Sequence, residues 1–75
     1  MSEKLDKFER LAEKRVTETI KKIRLVGNLA NKNNYEYSEE HAKKIIETLD
    51  DEMRLLKSRF KEELQKESKS FSFRK

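Results

Sequence analysis

Apolar residues recur along the first half of this chain in steps of three and four. Leu5, Phe8, Ala12, Val16, Thr19, Ile23, Val26 and Ala30 form one stripe on a helix of 3.6 residues per turn. The period predicts a helix from about Glu3 to Asn31, capped by Ser2, with Glu3 and Asp6 at the positive end of its dipole. Gly27 falls inside the pattern. Leu29 and Ala30 carry the period past it, so the glycine is expected to serve close approach of another backbone rather than to end the helix.

A second stripe runs Ala42, Ile45, Ile46, Leu49, Met53, Leu56, Phe60 and Leu64. Its helix is predicted over about 38–67, with Ser38 as N-cap, Glu39 and Glu40 in the first turn and Tyr37 stapled over Ala42. The turn between the helices then covers residues 32–37. At 1.5 Å per residue each helix comes to roughly 40 Å. Two helices of equal length joined by a short turn predict an all-α, antiparallel two-helix hairpin.

A lone hairpin covers each stripe from one side only. The first helix also carries Leu11, Leu25 and Leu29 on a neighbouring face, and Leu55 lies off the stripe of the second. Those extra faces predict self-association, with a homodimeric four-helix bundle as the simplest form and higher homo-oligomers beside it. The tail from Ser68 to Lys75 breaks the period and is expected to be flexible, with Phe71 and Phe73 available to a neighbour.

Composition narrows the function classes. At 75 residues the chain is one small domain, with 45% charged and 33% apolar residues. The absence of cysteine removes disulfides and thiolate chemistry. No apolar run approaches the ~20 residues of a membrane span, and Met-Ser-Glu-Lys lacks a signal peptide's apolar core. A soluble cytoplasmic protein with no membrane partner is expected. The net charge of +4 permits an anionic partner and requires none.

Catalysis has little to work with. His41 is the single histidine and has no nucleophile in a defined motif beside it. Asp50, Asp51 and Glu52 are consecutive on a helix, so their carboxylates point apart. One glycine cannot build a phosphate loop. Arg54, Lys57, Arg59, Lys61, Lys66 and Lys69 wrap around the second helix among Glu62, Glu63 and Glu67, unlike the one-sided stripe that phosphate backbones favour. The expectation is a non-enzyme without metal or cofactor.

The stretch from Arg24 to Tyr37 is different, because it holds the only glycine, four asparagines and both tyrosines. Arg24, Asn28 and Asn31 share a helix face, Lys21 lies on its rim, and Asn34, Tyr35 and Tyr37 follow. Arginine offers a fork of donors, asparagine both donor and acceptor, and tyrosine a stacking ring. These types suit a small anionic nucleotide. Arg15 and Lys22 border Leu11, Leu25 and Leu29 and would add charge if that face lines a cleft between subunits. Asparagines also satisfy helix ends and tyrosines lid cores, so a structural role for the same residues stands beside the binding one.

The segments Lys14-Arg15-Val16, Ile20 to Asn31 and Asn34-Tyr35-Glu36-Tyr37 resemble a group of small helical-hairpin proteins from bacteria, plasmids and phages. Their shared pattern is Ile-Arg-Leu-x-Gly-Asn-Leu-x-Asn, a spacer, Asn-Tyr-x-Tyr and a second amphipathic helix. The resemblance spans about residues 8–60 and implies a mobile-element context without a reaction. In size, helical content and expected oligomerisation the chain also resembles phage sponges that trap cyclic or ADP-ribose-derived nucleotides. The leading expectation is therefore a counter-defence sponge for a small anionic signalling nucleotide. The alternative is a helical adaptor or inhibitor of a protein or nucleic-acid partner.

Overall fold

The computed structural model describes residues 2–69, with side chains through residue 66. Among these residues there are two helices and no strand: α1, Glu3–Asn28, and α2, Glu39–Lys69. The fold class is all-α. The chain divides between Tyr37 and Ser38 into two units, one built on each helix.

In the first unit Ser2 caps α1 from an extended backbone, φ −98° and ψ 126°. Its Oγ accepts from the Leu5 amide at 3.2 Å and its carbonyl from the Asp6 amide at 3.1 Å. The first bond satisfies one of the four orphan first-turn donors, and the second is the first rung of the helical ladder. Thr19 sits in the apolar stripe at no polar cost, because its hydroxyl donates to the Arg15 carbonyl at 2.8 Å.

α1 closes at Asn28, three residues before the expected end. The chain does not leave the helical region there. Its bonds shorten to three-residue steps, Leu29 N–H to Val26 O and Ala30 N–H to Gly27 O, each at 3.0 Å. This tightening satisfies carbonyls that the last helical turn leaves over. The hydrophobic period survives in a 3₁₀ tail, which is why it extends past the α-helix. Gly27 is an ordinary helical residue without positive φ, and a Cβ built on it meets nothing within 4 Å. The close backbone approach expected at Gly27 is thus not made among the described residues.

In the second unit Ser38 and His41 cap α2 reciprocally. The His41 amide donates to Ser38 Oγ at 3.1 Å, and the Ser38 amide donates to His41 Nδ1 at 3.0 Å. The arrangement is a capping box with imidazole in the place of Glu or Gln. Glu39 and Glu40 supply negative charge in the same turn. The Thr48 hydroxyl folds back to the Lys44 carbonyl at 2.7 Å. Arg54–Asp51 at 3.5 Å and Lys66–Glu63 at 3.1 Å pair on exposed surface, worth under about 1 kcal/mol each. α2 continues to Lys69, two residues past the expected end. The expectation for Phe71 and Phe73 lies outside the described residues.

Neither helix holds a buried side chain among the described residues. On α1 only Leu11, Ala12 and Val26 are half-buried, and on α2 only Ala42 and Leu49. The stripes are present and uncovered: Phe8 is 55% and Ile23 49% exposed, Met53 59% and Phe60 54%. Among the described residues no helix is long and apolar enough to cross a membrane.

Candidate functional site

The residues singled out as a binding set all belong to the first unit, on α1 and in the turn that follows it. The turn is organised around Asn31. Its carbonyl accepts from the amides of Asn34 at 3.1 Å and Tyr35 at 3.0 Å, and its side-chain Oδ1 accepts from the Asn33 amide at 2.9 Å. Asparagine suits this task because its short carboxamide mimics a peptide carbonyl two residues ahead. The shared helix face expected for Arg24, Asn28 and Asn31 is therefore only half realised. Arg24 and Asn28 lie one turn apart on α1, but Asn31 has left the helix and commits its amide oxygen to the turn.

Tyr37 also has a structural use. Its hydroxyl donates to the Ala30 carbonyl at 2.7 Å, so the end of the turn is tied to the 3₁₀ tail of α1. Lys32 Nζ stands 4.8 Å from the centre of the Tyr37 ring. An ammonium over a tyrosine face at that distance adds about 0.5–1 kcal/mol at an exposed site. One face of the ring is thus taken by a cation of the same turn. Lys32 lies outside the set read from the sequence, and a lysine five residues before a tyrosine carries no signal of this contact.

Tyr35 is the other ring. Its amide bonds to Asn31, while its side chain is 49% exposed and makes no hydrogen bond among the described residues. The Asn34 amide is used in the turn and its carboxamide makes no such bond. Arg15, Lys22 and Arg24 lie on α1, exposed, and form no ion pair among the described residues. Arg15 and Lys22 are seven positions apart, hence on one side of α1, next to Leu25.

Electrostatics at this end of α1 do not favour an anion strongly. The carbonyl end of a helix carries about half a negative charge, and the last turn of α1 has no basic residue. Arg24 and Lys32 are the nearest cations in sequence on either side. A concavity of ≈ 260 Å³ elsewhere, on α2, is lined by Glu47, Asp50, Asp51 and Arg54, three carboxylates to one cation. Among the described residues no group of three or more histidines or carboxylates could hold a metal ion.

His41, set aside in the sequence for want of a nucleophile beside it, has a defined place. Accepting through Nδ1 requires the neutral ring with its proton on Nε2. Its signal was available: Ser38 three residues before it is the spacing of a capping box. No protein-family model, no curated protein and no solved structure matches the chain.

Proposed function

We propose that this chain is a non-enzymatic helical interaction protein whose working form is an assembly, with a second copy of itself as the first partner. One observation carries the reading. Fifteen large apolar side chains, Leu5 to Leu64, stay 38–66% exposed, while no described side chain is buried. Completing the burial of a half-exposed Leu, Ile or Phe contributes about 1 kcal/mol. Fifteen such residues supply both the closing of the hairpin and a contribution toward the cost of association, ~4–15 kcal/mol. In this reading the helices close as an antiparallel hairpin and pair with another hairpin as a homo-oligomeric bundle in the cytoplasm. That is the adaptor or inhibitor class of function, acting through helical faces on a protein or nucleic-acid partner.

A second reading keeps the nucleotide sponge, encoded by a phage or other mobile element. It is supported by the exposed ring of Tyr35 next to Asn34, with Arg24, Asn28, Arg15 and Lys22 as polar and cationic groups not engaged in side-chain bonds among the described residues. Asn31 and Tyr37 would frame the ligand and leave the contact to Tyr35. Native mass spectrometry with a panel of cyclic and ADP-ribose-type nucleotides tests both. Oligomers without adducts select the interaction protein. Adducts in fixed ratio to subunits, lost in Tyr35→Ala and Arg24→Ala at unchanged mass and helicity, select the sponge.

A further inference from the structure

The apolar face of α2 forms a regular seam. Ala42, Ile46, Leu49, Met53, Leu56 and Phe60 step by four, three, four, three and four, which is a coiled-coil seam over almost three heptads. On α1 and its 3₁₀ tail the run from Ala12 to Ala30 steps in the same way, but it holds Thr19 in the seam and Arg15 and Lys22 on one flank. Along the α2 seam Ile46, Met53, Leu56 and Phe60 are 47–59% exposed.

Charge decides which partner fits this seam. One flank carries Asp50 and Lys57, the other Glu52 and Arg59, each pair seven residues apart. None of the four makes an ion pair among the described residues, since the bridges on α2 are Arg54–Asp51 and Lys66–Glu63. We propose that α2 pairs antiparallel with α2 of a second copy, in the register that layers Met53 on Leu56 of the partner subunit. This rests on the self-assembly put forward above and adds the helix, direction and register.

In antiparallel coiled coils like flanks face each other. Here Asp50 meets the partner's Lys57 and Glu52 meets the partner's Arg59, and two-fold symmetry makes each contact twice. Sliding one heptad in one direction sets Asp50 on the partner's Asp50 and Glu52 on the partner's Glu52. Sliding in the other sets Lys57 on the partner's Lys57 and Arg59 on the partner's Arg59. A parallel pair joins Glu52 to the partner's Lys57 but leaves Asp50 beside Ile45 of the partner subunit and Arg59 beside the partner's Leu64. Only one register satisfies all four charges; it layers Leu49 on Phe60 and Met53 on Leu56 of the partner subunit and sets Ile46 opposite the partner's Glu63, while the registers one heptad away are repulsive.

The test is sedimentation equilibrium of the full chain with Glu52→Lys, Arg59→Glu, their equimolar mixture and the double variant. Each single variant puts like charges together twice and should weaken self-association about tenfold or more. The mixture and the double variant restore opposite charges in the antiparallel register and should return to within about threefold of the parent. In a parallel pair the double variant sets lysine against Lys57 and does not recover. If a single variant loses helicity by circular dichroism, Asp50→Lys with Lys57→Asp applies the same logic on the other flank. An oligomeric parent indifferent to the single changes, or unrescued by the double, overturns the register and leaves self-assembly standing. A parent that stays monomeric overturns both.

Discussion

Single residues at the two helix starts show how a short polar code is read. Ser2 and Ser38 accept from the third amide beyond them, at 3.2 and 3.1 Å, and both starts were legible in the sequence for that reason. His41 goes further by returning a bond to the Ser38 amide. His41→Ala should cost α2 about 0.5–1 kcal/mol, whereas His41→Gln should retain most of the cap. Thermal unfolding followed at 222 nm compares them, and equal losses in both would remove the imidazole from the capping role. Tyr37 and Tyr35 separate in the same way. Tyr37→Phe deletes the donor to Ala30 and should cost about 0.5–1 kcal/mol of stability. Tyr35→Phe should leave stability unchanged, since the Tyr35 hydroxyl bonds to nothing described. Unfolding midpoints decide it.

At the scale of the element, helix identity was legible and one boundary was not. Steps of three and four through Leu5–Ala30 and Ala42–Leu64 report the helical period directly. The same period could not report the end of α1, because a 3₁₀ tail keeps side chains near the same face for one more turn while its bonds shorten. The organisation of the turn was hidden for a related reason. Which asparagine accepts from which amide depends on backbone angles that no spacing encodes, and Asn28, Asn31, Asn33 and Asn34 look alike in sequence. Gly27 now offers a clean experiment. It is helical, with open space where a Cβ would sit. Gly27→Ala should stabilise α1 by about 1 kcal/mol by helix propensity. A higher unfolding midpoint at unchanged oligomer mass is the expected result. A variant that unfolds earlier or loses subunits would mean that another backbone does pass against Gly27 in the assembly.

At the scale of the whole molecule, the decisive fact is apolar surface with no buried side chain among the described residues. Each helix is amphipathic and capped, yet its stripe remains about half exposed. Isolated helices in water are marginal, and most helical stability in proteins comes from packing an amphipathic face. A densely charged polar face beside an apolar face left uncovered among the described residues supports the proposal of a second surface to meet it. The sequence already carried this in Leu11, Leu25 and Leu29, which a single partner helix does not cover. Choosing the partner required the exposure of each side chain and the charges left unpaired along α2. Sedimentation equilibrium over a hundredfold range of concentration, with helicity recorded on the same samples, tests the account most directly. We expect, at the concentrated end, a mass of two or more times 9.1 kDa and a helical signal that falls as dilution dissociates the assembly. A 9.1 kDa species at every concentration, fully helical and unfolding cooperatively, would contradict it.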